Sequence, residues 1–158
     1  MNLLTHILFE DIDQKYNVGP VYHGGNWSGT LPVRVLGKGS LGTGAYFTPD
    51  RSKAEGYAKQ SNGQVVETYL DIKNPLKIQM NKGEFKHPCI DALIQLGMNP
   101  SKAEKLVERV EEQKGYMGKE IQNLALTKGY DGIFQYFDGE LKEIVIWKSE
   151  QAQLNKIQ

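Results

Sequence analysis

A single cysteine, Cys89, stands among 158 residues. No internal disulfide can form, and the expected compartment is a reducing cytoplasm. Histidine is equally scarce: His6, His23 and His87 are scattered, with no cysteine pair and no HExxH spacing. That pattern predicts no metal site. Neither sign of charge prevails, because nineteen basic and nineteen acidic side chains cancel. The balance gives no broad footprint for duplex nucleic acid or an anionic membrane, although a local basic patch is still open. Long apolar runs are missing too. The segment Leu3-Leu4-Thr5-His6-Ile7-Leu8-Phe9 is followed by Glu10 and Asp11, is too short to span a bilayer, and lacks the basic leader and small-residue cleavage site of a signal peptide. Internal repeats and low-complexity stretches are absent.

What is there fits one globular domain over 1–158, with 39% hydrophobic and 24% charged residues, enough to bury a proper core. Leu4, Leu8 and Ile12 recur at four-residue steps, which predicts an amphipathic helix over 3–15. Gly19-Pro20 breaks it, and Val21-Tyr22-His23 is a candidate strand ending at Gly24-Gly25. Residues 24–44 read as a loop rich in glycine, able to approach a ligand closely. Pro49-Asp50-Arg51-Ser52 starts a helix that runs to about Lys59. Val66, Thr68, Leu70 and Ile72 alternate with polar neighbours, a strand signal, and Leu76, Ile78 and Met80 make another after Asn74-Pro75. Two or three helices fill 87–128, with Ser101 as N-cap and Glu104 completing a capping box. Strands follow at Ile133–Phe137 and Ile144–Trp147, joined by the turn Asp138-Gly139, and a last short one covers Ala152–Ile157. The class is α+β with a largely antiparallel sheet.

Three short blocks carry chemistry. Val21-Tyr22-His23-Gly24-Gly25 is the first. The second is Gly42-Thr43-Gly44-Ala45-Tyr46-Phe47, then Ser52-Lys53 and Tyr57, with the two tyrosines eleven residues apart. The third is Glu143-Ile144-Val145-Ile146-Trp147, then Gln151. Together they resemble the ADP-ribosyltransferases of the His-Tyr-Glu class, that of diphtheria toxin and the poly(ADP-ribose) polymerases. The resemblance spans roughly residues 20–155 and is specific only at these blocks.

The resemblance implies a split, largely antiparallel sheet with an N-terminal helix and a helical insertion at 87–128. It implies NAD as donor substrate, bound by His23, Gly24, Gly25, Gly44, Tyr46 and Tyr57. His23 would bond the adenosine-side ribose, the Gly24 backbone would hold the nicotinamide amide, and Tyr46 and Tyr57 would sandwich the nicotinamide ring. Aromatic faces suit that flat cation. Glu143, with His23 and Tyr46, would form the catalytic set. A carboxylate heading a strand can bond the ribose 2-OH more strongly as positive charge grows on the sugar. Glu140 is its rival, beside the Asp138-Gly139 turn.

Some positions depart from the pattern. The polymerases carry serine where Gly25 and Ala54 stand, so donor affinity is expected to be lower. Leu141 replaces the Glu or Gln that arginine-specific transferases place two residues before the glutamate, which disfavours arginine as acceptor. No element for chain elongation is recognisable, so mono-transfer is expected. The acceptor stays open among a host protein, a nucleic acid and a small molecule. Small solitary versions of the fold resemble bacterial or phage effectors, which would act as monomers in the (host) cytoplasm, away from membranes. Two alternatives stand beside this reading: an NAD glycohydrolase, and an inactive module that binds NAD or ADP-ribose.

Overall fold

A computed structural model describes residues 15–27 and 40–153. The helix expected over 3–15 (all but its last residue), the middle of the 24–44 loop, and the end of the last expected strand lie outside the described residues. Two sheets form the frame. Strands β1 (Val18–Gly25) and β3 (Gln64–Leu70) pair antiparallel. A four-stranded sheet has the order β2 (Ala45–Phe47), β6 (Glu140–Ile146), β5 (Gly132–Phe137), β4 (Pro75–Met80). Its pairs are antiparallel except β4 with β5. The two sheets meet where Tyr22 and Thr48 exchange backbone hydrogen bonds of 2.8 and 2.9 Å. The expected α+β class and split sheet are what the molecule has.

Pro20 lies inside β1, not ahead of it. The register slips between Val18 and Val21, so the Gly19-Pro20 step sits in a local irregularity, where a missing N–H breaks no ladder bond.

The second half of the central strand β6, residues 144–146, is buried on both faces. Ile144 and Ile146 enter one cluster with Val21, Phe47, Leu70 and Ile72, while Val145 enters the other with Tyr46, Leu76, Ile78 and Ile133. Alternate side chains of a strand point to opposite faces, so this strand reads as a continuous apolar run. The second cluster is closed by the helices between β4 and β5: α2 (Pro88–Gln95), α3 (Pro100–Lys114) and α4 (Glu120–Thr127). They supply Leu93, Val107 and Ile121 to it. The insertion expected at 87–128 is therefore a layer of the core and the crossover that a parallel strand pair requires.

The start of α3 differs from expectation. Asn99 is the N-cap, its side chain accepting from the Ser101 and Lys102 N–H groups, and Pro100 opens the helix. Asparagine caps as well as serine, and proline has no N–H to satisfy at the first position. Helix α1 (Arg51–Ser61) starts at Asp50, which accepts from Ser52 and Lys53, and ends at left-handed Asn62. Between β5 and β6, Asp138 and Gly139 have φ of 51° and 81°, the two positive values of a tight hairpin turn.

Candidate active site

Strand β1 and helix α1 build one wall. Only Ala54 and Ala58 of α1 are buried, and this face of small residues lets the helix lie directly on β1. Contact is so close that a β-carbon on Gly24 would stand 1.8 Å from the Ala54 carbonyl oxygen. Glycine is obligatory there. The packing sets Tyr57, 40% exposed, and Lys53 on the same side as His23.

His23 is buried against Phe47 and Trp27, with ring centroids 5.8 Å away in both cases. Its Nδ1 lies 2.8 Å from the Tyr46 carbonyl. A carbonyl only accepts, so Nδ1 carries a proton, and in the neutral form of the ring Nε2 is then the acceptor. The bond also ties β1 to β2.

Tyr46 pairs with Val145 across β2 and β6. Its hydroxyl donates to the Gly42 carbonyl at 2.6 Å and accepts from the Leu41 N–H at 3.0 Å. The ring is thus a strut that shapes the 40–44 turn. Phenylalanine would keep the aromatic face but orphan two buried backbone groups, at about 1–3 kcal/mol for an unmet one. Tyr46→Phe is therefore expected to lower the melting temperature and weaken donor binding together, which thermal denaturation and calorimetry would read. A substitution that looks mild from the sequence becomes costly in this setting.

Glu143 sits within β6, not at its head. The two-residue turn lets pairing begin at once, with Phe137 opposite Glu140. Tyr136 then faces Leu141 while Gln135 faces Glu143, so Lys142 is an extra residue on one side of the ladder. Such a bulge bends the strand and re-aims side chains. Beyond it Glu143 shares the face of Val145 and Tyr46 by strand alternation.

These parts converge on one cleft of about 240 Å³, lined by His23, Gly24, Tyr46, Tyr57 and Glu143 together with Tyr22, Ser40, Phe47, Thr48, Lys53 and Lys142. The side chains come from β1, β2, α1 and β6, more than a hundred residues apart in the chain. A family model described as ADP-ribosyltransferase in polyvalent proteins matches residues 13–154. The chain belongs to this ADP-ribosyltransferase family. No curated protein matches it.

Two expected donor-binding glycines of this ADP-ribosyltransferase lie outside the lining set. A β-carbon on Gly44 would stand 2.3 Å from Val145 Cγ1, so that glycine serves strand packing. Gly25 is pressed by the chain at Gly63, whose own β-carbon would come within 2.4 Å of the Gly25 backbone. Gln151 is a clamp. Its oxygen accepts from the Trp147 and Lys148 N–H groups, and its nitrogen donates to the Asp71 and Asp131 carbonyls. The end of β6 is thereby tied to the turns before β4 and β5. Asp131 adds to the tie, its carboxylate accepting from the Lys73 and Asn74 N–H groups at 2.7 and 2.8 Å.

Sequence reasoning missed Ser40, Thr48 and Lys142 as lining residues of this ADP-ribosyltransferase. Only the bulge brings Lys142 to the cleft, and no residue pattern announces it. Ser40 has a second tie: its carbonyl accepts from the Cys89 thiol at 3.1 Å. Burial and, after it, Glu111 and Glu120 push that thiol up to about 12, so it stays a protonated donor at neutral pH. Among the described residues, no three His, Cys, Asp or Glu side chains are grouped to hold a metal, and no helix is long and apolar enough to cross a membrane.

Proposed function

We propose that this domain is a mono-ADP-ribosyltransferase of the His-Tyr-Glu class that cleaves NAD and passes ADP-ribose to an acceptor. The observation that carries the reading is the meeting of His23, Tyr46, Tyr57 and Glu143 around one cleft. At about 240 Å³ it is smaller than the roughly 300–1,000 Å³ that engulfs a drug-sized ligand. That suits the nicotinamide riboside half of NAD, with the adenosine half extending along β1 past His23.

The roles follow from chemistry. Tyr57 reaches over from α1 and covers the ring that Tyr46 borders, each aromatic contact supplying about 0.5–1.5 kcal/mol beyond area burial. The Gly24 backbone holds the carboxamide, and His23 Nε2, an acceptor in the tautomer its Nδ1 bond selects, takes a ribose hydroxyl. The C–N glycosidic bond then breaks, and its electron pair leaves with nicotinamide. Positive charge spreads over the ribose ring. The Glu143 carboxylate accepts a hydrogen bond from the 2-OH and opposes that charge, an interaction stronger in the transition state than in the ground state. An acceptor lone pair closes the new bond at the same carbon, and the proton that the acceptor atom carried is released to solvent.

The experiment is nicotinamide release by the purified chain from labelled NAD, with and without cell lysate. Release that rises with lysate, with label fixed to a macromolecule, is the expected result, and protease or nuclease digestion then tells protein from nucleic acid. Equal release without lysate would identify a glycohydrolase. Clear NAD binding with no release at all would leave a binding module.

A further inference from the structure

Away from the cleft, the outer side of the helical layer carries three cations on α3. Lys102, Lys105 and Arg109 follow at three and four residues, which aligns them in a stripe about 10 Å long. Among the described residues none of the three joins an ion pair. Glu104 and Glu111 lie further round the helix, while Glu108 and Glu112 stand one turn past Lys105 and Arg109 and edge the stripe on one side. The stripe borders a depression of about 440 Å³ that also takes in Leu106. Leu106 in turn forms part of a groove of about 340 Å³ with Leu93 of α2, Met98 of the following turn, and Leu124 of α4. Glu120 is the one acid of that groove, and its carboxylate accepts from the Gly118 N–H at 2.9 Å.

We propose that this face docks an acidic amphipathic helix of a protein partner, its apolar side against half-buried Met98, Leu106 and Leu124 and its carboxylates along Lys102, Lys105 and Arg109. An apolar floor beside a row of unpaired cations is complementary to such a helix in both shape and sign. Nucleic acid fits less well. Among the described residues, those lining the depression and the groove include no aromatic side chain on which a base could stack, and leucine and methionine give a phosphate backbone nothing to bind. The layer is also rigidly founded, since its inner side supplies Ala103, Val107, Ile121 and Ala125 to the core.

The test uses a fluorescein-labelled peptide with leucines at helical i, i+3, i+7 spacing and glutamates on one flank. A scrambled peptide of the same composition and a single-stranded oligonucleotide of equal charge serve as comparisons. The expected result is binding of the patterned peptide, weakened at least about tenfold by the Lys105→Glu/Arg109→Glu pair and separately by Leu106→Ser. Circular dichroism establishes that the variants are folded, and nicotinamide release reads the distant cleft unchanged. Three outcomes overturn the proposal. They are equal binding of the scrambled peptide, tighter binding of the oligonucleotide, and no binding of the patterned peptide up to about millimolar concentration.

Discussion

Glu143→Gln is expected to lower nicotinamide release at least about 10²-fold while NAD affinity and melting temperature stay near those of the unchanged protein. In the proposed reaction the amide would keep the shape of the carboxylate but lose the charge that opposes the oxocarbenium ion. Removing one preorganised transition-state contact costs about 10²–10³ in rate, and an effect confined to the transition state appears in kcat and kcat/KM alike. Glu140→Gln is the control. Its carboxylate is 74% exposed, 3.0 Å from Lys142 in an ion pair at the strand's outer end, and exposed pairs contribute little. Full turnover by Glu143→Gln, with Glu140→Gln inactive, would exchange the two assignments.

Gly24→Ala is expected to destroy binding and stability together. The added methyl would stand 1.8 Å from the Ala54 carbonyl oxygen and 3.0 Å from the Ala58 nitrogen. Both are backbone atoms of α1, so no rotamer change relieves the clash and the helix must move off β1. Overpacking usually costs about 1–3 kcal/mol, and a clash between backbones places this change at or above the upper end. For a domain of this length that is a fall in melting temperature of roughly 6–12 °C. Because α1 carries Lys53 and Tyr57, NAD binding should disappear even where the protein remains folded. Thermal denaturation and calorimetry check both parts. An alanine variant that melts and binds like the unchanged chain would mean that the β1–α1 contact is looser than described.

Elements with a clear period were legible in the residues, and so was the set of side chains that share the cleft. The alternation from 66, the apolar run from 144 and the Asp138-Gly139 turn each follow from local chemistry, although β3 stops at Leu70 and β6 at Ile146, short of Ile72 and Trp147. What misled was long-range geometry. Glu143 was placed at the head of β6 because the apolar run starts after it, yet pairing reaches back to Glu140 once the tight turn closes. Gly24, Gly25 and Gly44 look alike as glycines near a ligand. The structure adds a packing demand at each: Val145 at Gly44, helix α1 at Gly24, and the neighbouring chain at Gly63 beside Gly25. Tyr46 was read by its ring, whereas its hydroxyl organises the 40–44 turn. Ser101 lost the cap of α3 to Asn99, since two good caps stood two residues apart and Pro100 favoured the earlier one. At the three glycines the deciding partner lies on a distant segment, out of reach of a sequence window, whereas the partners of Tyr46 and the cap of α3 lie within five residues.

Strand β2 is three residues long, and its ladder partner is β6, which pairs Tyr46 with Val145. Three residues cannot hold a strand by themselves. On the ribosome, then, His23, Tyr46 and Tyr57 are all synthesised well before they have a site to belong to. Closing a loop of nearly a hundred residues is an entropic cost met only when β6 arrives. The last strand of the sheet brings both the glutamate and the ladder partner of the tyrosine, so a nascent chain that stops short of β6 has β1 and β2 but lacks the Glu143 wall of the cleft.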